Sequence, residues 1–259
     1  MSIEDAFRLD GETAIVTGGN RGIGNGIARA LADAGADVVV ANRDRDASEA
    51  AAAAIARETG AETIAIPVDV TDEAAVEAMV ETAVETFGDV DVLVNNAGIT
   101  INTPAEEMTL DEWHRVVDIN LTGVFSCSKH VGRRMIADGG GSIINVSSIS
   151  AFVANHPQPQ IGYNASKAGV EGLKNQLASE WATHGVRVNN INPGYVRTEL
   201  VEEVLETDPE MAAEWRRQML LDEMARPEDI GPLAVYLASE ASWYVTGESI
   251  SIDGGYTVR

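Results

Sequence analysis

Short apolar runs rich in Val and Ile alternate with longer stretches of helical period along the whole chain. The runs at 13–17, 37–41, 63–68, 92–95, 142–147, 187–191 and 249–252 read as strands, because they are short, β-branched and bounded by Gly, Asn and Asp. The stretches at 24–34, 47–59, 73–87, 110–137, 165–184 and 228–238 carry the 3.6-residue period of amphipathic helices. Seven strands in β-α alternation predict one parallel, doubly wound α/β sheet with helices on both faces. Near-continuous runs such as Val38-Val39-Val40 fit strands buried on both sides. The alternation is interrupted at 196–227, a segment rich in Glu, Met and Trp that is too long for a simple connection. An insertion there, on the side where an open sheet binds its ligand, predicts a lid.

Composition narrows the class. At 259 residues, with 45% hydrophobic and 23% charged positions, the chain suits one large globular domain spanning 1–259, with no linker or repeat to divide it. No apolar run approaches the ~18 residues of a membrane span, and the first residues are acidic where a secretory signal is basic and apolar, so a cytoplasmic address is expected. Cys127 is the single cysteine, which excludes an intrachain disulfide and a thiolate metal cluster. The formal net charge of −23 argues against nucleic acid as a partner. Lys129, Lys167 and Lys174 are the sole lysines among 18 basic residues, and Asp and Glu are spread throughout the chain. This pattern resembles that of proteins from extreme halophiles. Self-repulsion of that size is relieved when ~1 M salt shortens the Debye length to ~3 Å, so stability is expected to be greatest in molar salt.

The candidate chemistry sits at the carboxyl ends of the strands. Thr17-Gly18-Gly19-Asn20-Arg21-Gly22-Ile23-Gly24 joins the first strand to the first helix, where glycines let the backbone approach a pyrophosphate on a helix N-terminus. An NAD-selective fold would place an acid at the end of the second strand to hold the ribose 2′-hydroxyl. Here Asn42-Arg43 stands instead. A guanidinium matches a 2′-phosphate, with Arg21 able to join it, so NADP is expected over NAD, although NAD remains able to bind. The competing reading leaves Arg43 in solvent, its charge answered by Asp44 and Asp46. Asp69-Val70 and Asn95-Asn96-Ala97-Gly98 end the third and fourth strands. An Asp there can accept from an adenine amino group, and Ala97-Gly98 leave room for adenosine; a helix cap at Asp69 and a turn at Asn95-Asn96 are the plainer alternatives.

Tyr163 and Lys167 lie four residues apart, on one face of a helix. Hydride transfer at an alcohol or carbonyl needs a proton to move as well, and a phenol of pKa ~10 is a poor base at neutral pH. An ammonium about 4 Å away contributes roughly 4 kcal/mol at an effective dielectric of 20, or about 3 pKa units, in the direction the chemistry needs.

Together, the glycine pattern, Asn95-Asn96-Ala97-Gly98, Asn120, Ser147-Ser148, Tyr163-x3-Lys167, Pro193-Gly194 and the tail from Val245-Thr246-Gly247 to Asp253-Gly254-Gly255 resemble the short-chain dehydrogenase/reductase family over essentially the whole length. The resemblance implies that Tyr163 is the proton donor or acceptor and that Lys167 lowers its pKa and holds the nicotinamide ribose. It further implies that Ser148 binds the substrate oxygen, that Asn120 anchors a proton-relaying water, and that Pro193, Gly194, Val196 and Thr198 line the nicotinamide. Assembly as a homotetramer through the two long helices and the last strand is also implied.

The stretch Asn155-His156-Pro157-Gln158-Pro159-Gln160 resembles that of sugar and polyol dehydrogenases within the family. A sugar, polyol or sugar acid is therefore the expected small-molecule substrate, with His156 and Gln160 as contacts beside Ser148 and Tyr163. Gln158 and Gln160 could equally be loop or subunit contacts. A 3-oxoacyl thioester reductase is the alternative enzyme; the acids of 196–227 speak against it. A cofactor-binding regulator that has lost catalysis is the third reading. His114, His130, His156 and His184 lack ligand spacing, so no metal is expected. Trp215, Met211, Met219 and Met224 could close over substrate, fill a core or join subunits.

Overall fold

All seven expected strands form: β1 Thr13–Thr17, β2 Asp37–Asn42, β3 Thr63–Pro67, β4 Val92–Asn95, β5 Gly141–Val146, β6 Val186–Pro193 and β7 Ser249–Ile252. They make one sheet in the order β3-β2-β1-β4-β5-β6-β7, parallel at every pairing. The computed structural model describes residues 2–258. Because the chain runs outward from β1 to β3 and then returns to β4 on the other side of β1, the connections diverge between β1 and β4. A crevice opens there at the carboxyl ends of the strands.

The helices are α1 Ile3–Ala6, α2 Gly22–Asp33, α3 Arg45–Thr59, α4 Glu73–Phe87, α5 Leu110–Val117, α6 Gly123–Asp138, α7 Ile161–Trp181, α8 Glu199–Thr207, α9 Pro209–Gln218 and α10 Pro227–Ala238. Alternation of side chains along the strands explains the two layers. Ala14, Val16, Val38, Val40 and Val94 point to one face, against Ile27 and Leu31 of α2, Ile55 of α3 and Ala234 of α10. Ile15, Val39, Leu93 and Ile143 point to the other, against Val76 and Met79 of α4, Val131 of α6 and Leu177 of α7. Full burial of each large aliphatic residue contributes about 1.5–3 kcal/mol. Cys127 is buried in the second layer, and burial pushes its thiol up to about 12. No helix among the described residues is long and apolar enough to cross a membrane.

Three features depart from the periodicity. The helix expected over 110–137 contains a π turn, Asp118–Thr122, between α5 and α6. Asn120 sits in that turn and ties it sideways: its side chain accepts from the Ile99 N–H and donates to the Ile99 carbonyl, each at 2.9 Å, and to Ser166 Oγ at 3.2 Å. The helix expected from 165 begins at Ile161, so Tyr163 lies in its first turn. The segment 196–227 folds into α8 and α9 and closes on itself through a bridge between Val196 and Ala225. Its apolar residues form a third core, in which Trp215, Met219 and Met224 pack with Ile149 and Tyr256, flanked by Tyr195 and Met211.

Candidate active site

Gly18 and Gly22 hold φ values of +67° and +53°, a region that side chains rarely enter. A Cβ on Gly24 would lie 2.3 Å from Asn96 Nδ2 and 2.4 Å from the Gly18 carbonyl oxygen. The loop is bonded to the end of β4: Asn96 Nδ2 donates to the carbonyls of Thr17 and Gly18 at 3.0 and 3.2 Å, and Thr17 Oγ1 accepts from the amides of Asn96 and Ala97 at 3.0 and 3.1 Å. The N-terminus of α2 is capped by no side chain, which leaves its first amides open for an anion. Asn20 Oδ1 is buried without a hydrogen-bond partner. This cradle fits the diphosphate of a dinucleotide. Thr198 meets the loop from across the crevice, its Cγ2 3.3 Å from where a Cβ on Gly22 would stand. Val196 is buried beside it and Gly194 packs against Asp253, while Ile23 joins the core under the loop and Val70 packs on Gly123.

At the adenosine end the structure changes the charge assignments. Arg43 is exposed and lies 3.8 Å from Asp69, which is therefore the acid that answers its charge. Asp44 accepts from the Ala47 amide as the cap of α3. Asn42 Oδ1 accepts from the Asp44 amide at 3.0 Å. Asp69 Oδ1 accepts from Thr71 N and Oγ1 at 3.0 and 2.7 Å, and these bonds, with Arg43, hold its carboxyl below the usual range. Arg21 pairs at 3.4 Å with Glu199 at the start of α8, linking the glycine loop to the 196–227 segment.

Ser148, Tyr163 and Lys167 converge beside this cradle. Ser148 follows β5; its Oγ donates to Ser150 Oγ at 3.0 Å and shares a hydrogen bond with the Tyr163 hydroxyl. The Lys167 ammonium is buried, 5.6 Å from the Tyr163 ring centre, and donates to the Val146 carbonyl at 2.7 Å. Burial acts against the expected electrostatics. Burial pushes the Tyr163 phenol above its ordinary value, with Ser148 opposing, and pushes Lys167 down to about 8, with Glu171 opposing.

The loop before α7 is fixed by its own amides. Gln160 Nε2 donates to Asn155 Oδ1 and Asn164 Oδ1 at 3.0 Å and lies 3.3 Å from Ser150 Oγ, so it holds the loop together and is not free to reach outward as a donor. His156 is exposed. Gln158 is buried and works as a clasp: its Nε2 donates to Tyr195 Oη at 2.9 Å, and its Oε1 accepts from Trp215 Nε1 at 3.0 Å. Tyr195 stacks on Trp215 with ring centres 4.4 Å apart. Beside this cluster a cavity of about 440 Å³ is lined by Val153, Ala154, Arg217, Gln218, Tyr256 and Thr257. Sequence reasoning missed Tyr195 and, beyond Asn95, the buried asparagines of the central strands. Asn95 donates to Asn145 and Asn145 to Asn190, both at 2.9 Å, across β4, β5 and β6. The signal was amide side chains at successive register positions inside runs otherwise apolar.

A doubly wound sheet with a phosphate cradle at its switch point and a Ser-Tyr-Lys group beside it defines a dinucleotide-dependent oxidoreductase of Rossmann type. Comparison with known proteins agrees. A family model described as enoyl-(acyl carrier protein) reductase, of the short-chain type, matches residues 18–257. Galactitol 2-dehydrogenase of Rhizobium johnstonii is 42% identical over 99% of this chain and 99% of its own. A short-chain dehydrogenase/reductase structure from Mycobacterium marinum superposes with a TM-score of 0.95 at 42% identity, covering 100% of both chains. A gluconate 5-dehydrogenase from Burkholderia cenocepacia, solved with NADP and tartrate, gives 0.94 at 34% identity, again over 100% of both. The chain belongs to the short-chain dehydrogenase/reductase family and is an NAD(P)-dependent oxidoreductase.

Proposed function

We propose that the protein interconverts a secondary alcohol and a ketone on a sugar, polyol or sugar acid, with a preference for NADP. The observation that carries this reading is the convergence of Ser148, Tyr163 and Lys167 beside the glycine cradle. The cofactor, when bound, gives or takes the hydride. Ser148 Oγ holds the substrate oxygen, and the Tyr163 hydroxyl, which shares a bond with it, passes the proton. A phenol is protonated at neutral pH and burial shifts it further that way, so this arrangement is ready to donate to a carbonyl. Lys167 supplies a cation next to Tyr163 and would donate to the nicotinamide ribose. Asn120 has committed its side chain to Ile99 and Ser166, so any water it anchors is held through its main chain. Pro193, Gly194, Val196 and Thr198 would line the nicotinamide, and of these Thr198 meets the glycine loop at Gly22.

The substrate class rests on the Gln158 and Gln160 loop and on relatives named for galactitol and gluconate. The NADP preference rests on Arg43 at the end of β2, where an acid is absent, and on the NADP bound in the gluconate dehydrogenase. Segment 196–227 acts as the lid of one domain spanning 1–259. Exposed Leu110, Phe125 and Ile161 on the long helices support a homotetramer, and the net charge of −23 supports a halophilic enzyme.

The test follows absorbance at 340 nm in about 2 M KCl with sugars, polyols, sugar acids and acetoacetyl-CoA, each with NADP and with NAD. Turnover of a hydroxylated substrate with NADP is expected, and Tyr163→Phe should lose it by about a thousandfold or more while still binding cofactor. Turnover of the thioester alone would move the assignment to a 3-oxoacyl reductase, and a preference for NAD would place Arg43 in solvent.

A further inference from the structure

Glu171 stands one helical turn beyond Lys167 on α7, so Tyr163, Lys167 and Glu171 follow one another at four-residue spacing on one face. Its side chain is 13% exposed and its carboxylate is held from two strands. Oε1 accepts from Asn192 Nδ2 of β6 at 2.6 Å, and Oε2 accepts from Ser249 Oγ of β7 at 2.5 Å. The same Asn192 Nδ2 also donates to the Ser148 carbonyl at 3.2 Å. One carboxylate on the helix that carries Tyr163 and Lys167 therefore reaches the backbone that carries Ser148.

A buried carboxylate bonded on both oxygens serves stability poorly unless its charge is needed, since desolvation can cancel what the pairing returns. The charges near it are few. Lys174, on the same helix, lies 3.9 Å away and is itself bonded to the Gly247 carbonyl at 2.7 Å and to Ser249 Oγ at 2.9 Å. Lys167 faces Tyr163 and Glu171 from its own helix, and from β5 it meets the uncharged Val146 carbonyl. From these contacts the geometry points to Glu171 as a positioning residue for the reaction: through Asn192 it fixes the backbone that carries Ser148. This inference rests on the role given above to Ser148.

The test measures kcat, KM and the dissociation constant for NADP in Asn192→Ala and Glu171→Gln, with folding checked by thermal melts. Asn192→Ala cuts the link to the Ser148 carbonyl and should lower kcat about tenfold or more, with the dissociation constant for NADP nearly unchanged. Glu171→Gln, which keeps the shape and weakens the hold on Asn192, should show a smaller fall of the same kind. An unchanged kcat in folded Asn192→Ala overturns the inference, as does an equal loss of cofactor affinity, the signature of a structural role alone. Should Asn192→Ala fail to fold, Glu171→Gln carries the test on the same terms. Tyr163→Phe, assayed alongside, separates the two levels. Full turnover in that variant defeats the catalytic reading, whereas an inactive Tyr163→Phe with full turnover in the other two variants defeats only the role of Glu171.

Discussion

The two sides of the crevice are built by different means. On the β1–α2 side, shape resides in the backbone: two positive φ angles, a loop bonded to the Asn96 amide, and a helix start left open at Gly22. On the opposite side, between the loop before α7 and the 196–227 segment, shape resides in side chains. Gln158 joins Tyr195 to Trp215, Tyr195 stacks on Trp215 and meets Tyr256 edge-on at 5.6 Å, and the rest is apolar filling. A backbone cradle recognises a constant ligand, because every dinucleotide presents the same diphosphate. A side-chain cluster can be rebuilt residue by residue, which suits the face that meets a variable substrate.

Breaking each side separately tests this division. The largest effect is expected from Trp215→Ala, which removes the centre of the third core and leaves Gln158 Oε1 without its donor. About 3–5 kcal/mol of local stability should be lost, seen as early proteolysis within 196–227 and a large rise in substrate KM, with the dissociation constant for NADP nearly unchanged. If cofactor affinity falls equally, the two sides are coupled and the division fails.

Gly24→Ala is the converse. With Asn96 Nδ2 and the Gly18 carbonyl under 2.5 Å from the new methyl, the loop must shift at a cost of about 1–3 kcal/mol. Isothermal titration should register about a tenfold or greater loss of cofactor affinity, and the Trp215 fluorescence environment should be unaltered.

The smallest effect sharpens the comparison from the amino end of the sheet, opposite the crevice. Glu12 and Asp91 share a half-buried site at the amino ends of β1 and β4, where Asp91 accepts from the Thr13 amide at 2.8 Å. Burial and the neighbouring Asp91 push Glu12 up to about 7. A carboxyl raised in the folded state binds more protons there than when unfolded between about pH 4.5 and 7. Its stabilisation is therefore complete below about 4.5 and is lost as pH rises through 7. Glu12→Gln should accordingly be more stable than the parent at pH 8 by about 1 kcal/mol, after allowance for solvent screening, and the gap should close below pH 4.5. Thermal melts at the two pH values check the sign, and neither KM nor cofactor affinity should move.

Legibility followed the same division. The glycine loop, the Asn96-Ala97-Gly98 end of β4 and the Tyr163-Lys167 pair could be read from the chain because each is a local pattern whose backbone or helical spacing fixes its geometry. Arg43 stands just past the end of β2 as expected, but its partner was not read: Asp44, adjacent in sequence, caps α3, and Asp69 comes from the turn after β3. Gln160 looked like a substrate contact, yet its amide nitrogen is engaged by Asn155 and Asn164 within the loop. The π turn at Asp118–Thr122 left no periodic trace, because a helix that widens for one turn keeps nearly the same apolar pattern.

The sequence by itself determined the alternation of strands and helices, the parallel sheet, and the positions of the phosphate cradle and the tyrosine-lysine pair. These follow from the periods of 2 and 3.6, from glycine's freedom and from spacing along one helix. The tertiary structure alone decided which charges meet, in which direction Tyr163 and Lys167 are shifted, and that Glu171 reaches the Ser148 backbone through Asn192. Burial and the partners contributed by β5, β6 and β7 set those properties, and both are created only when distant segments pack together.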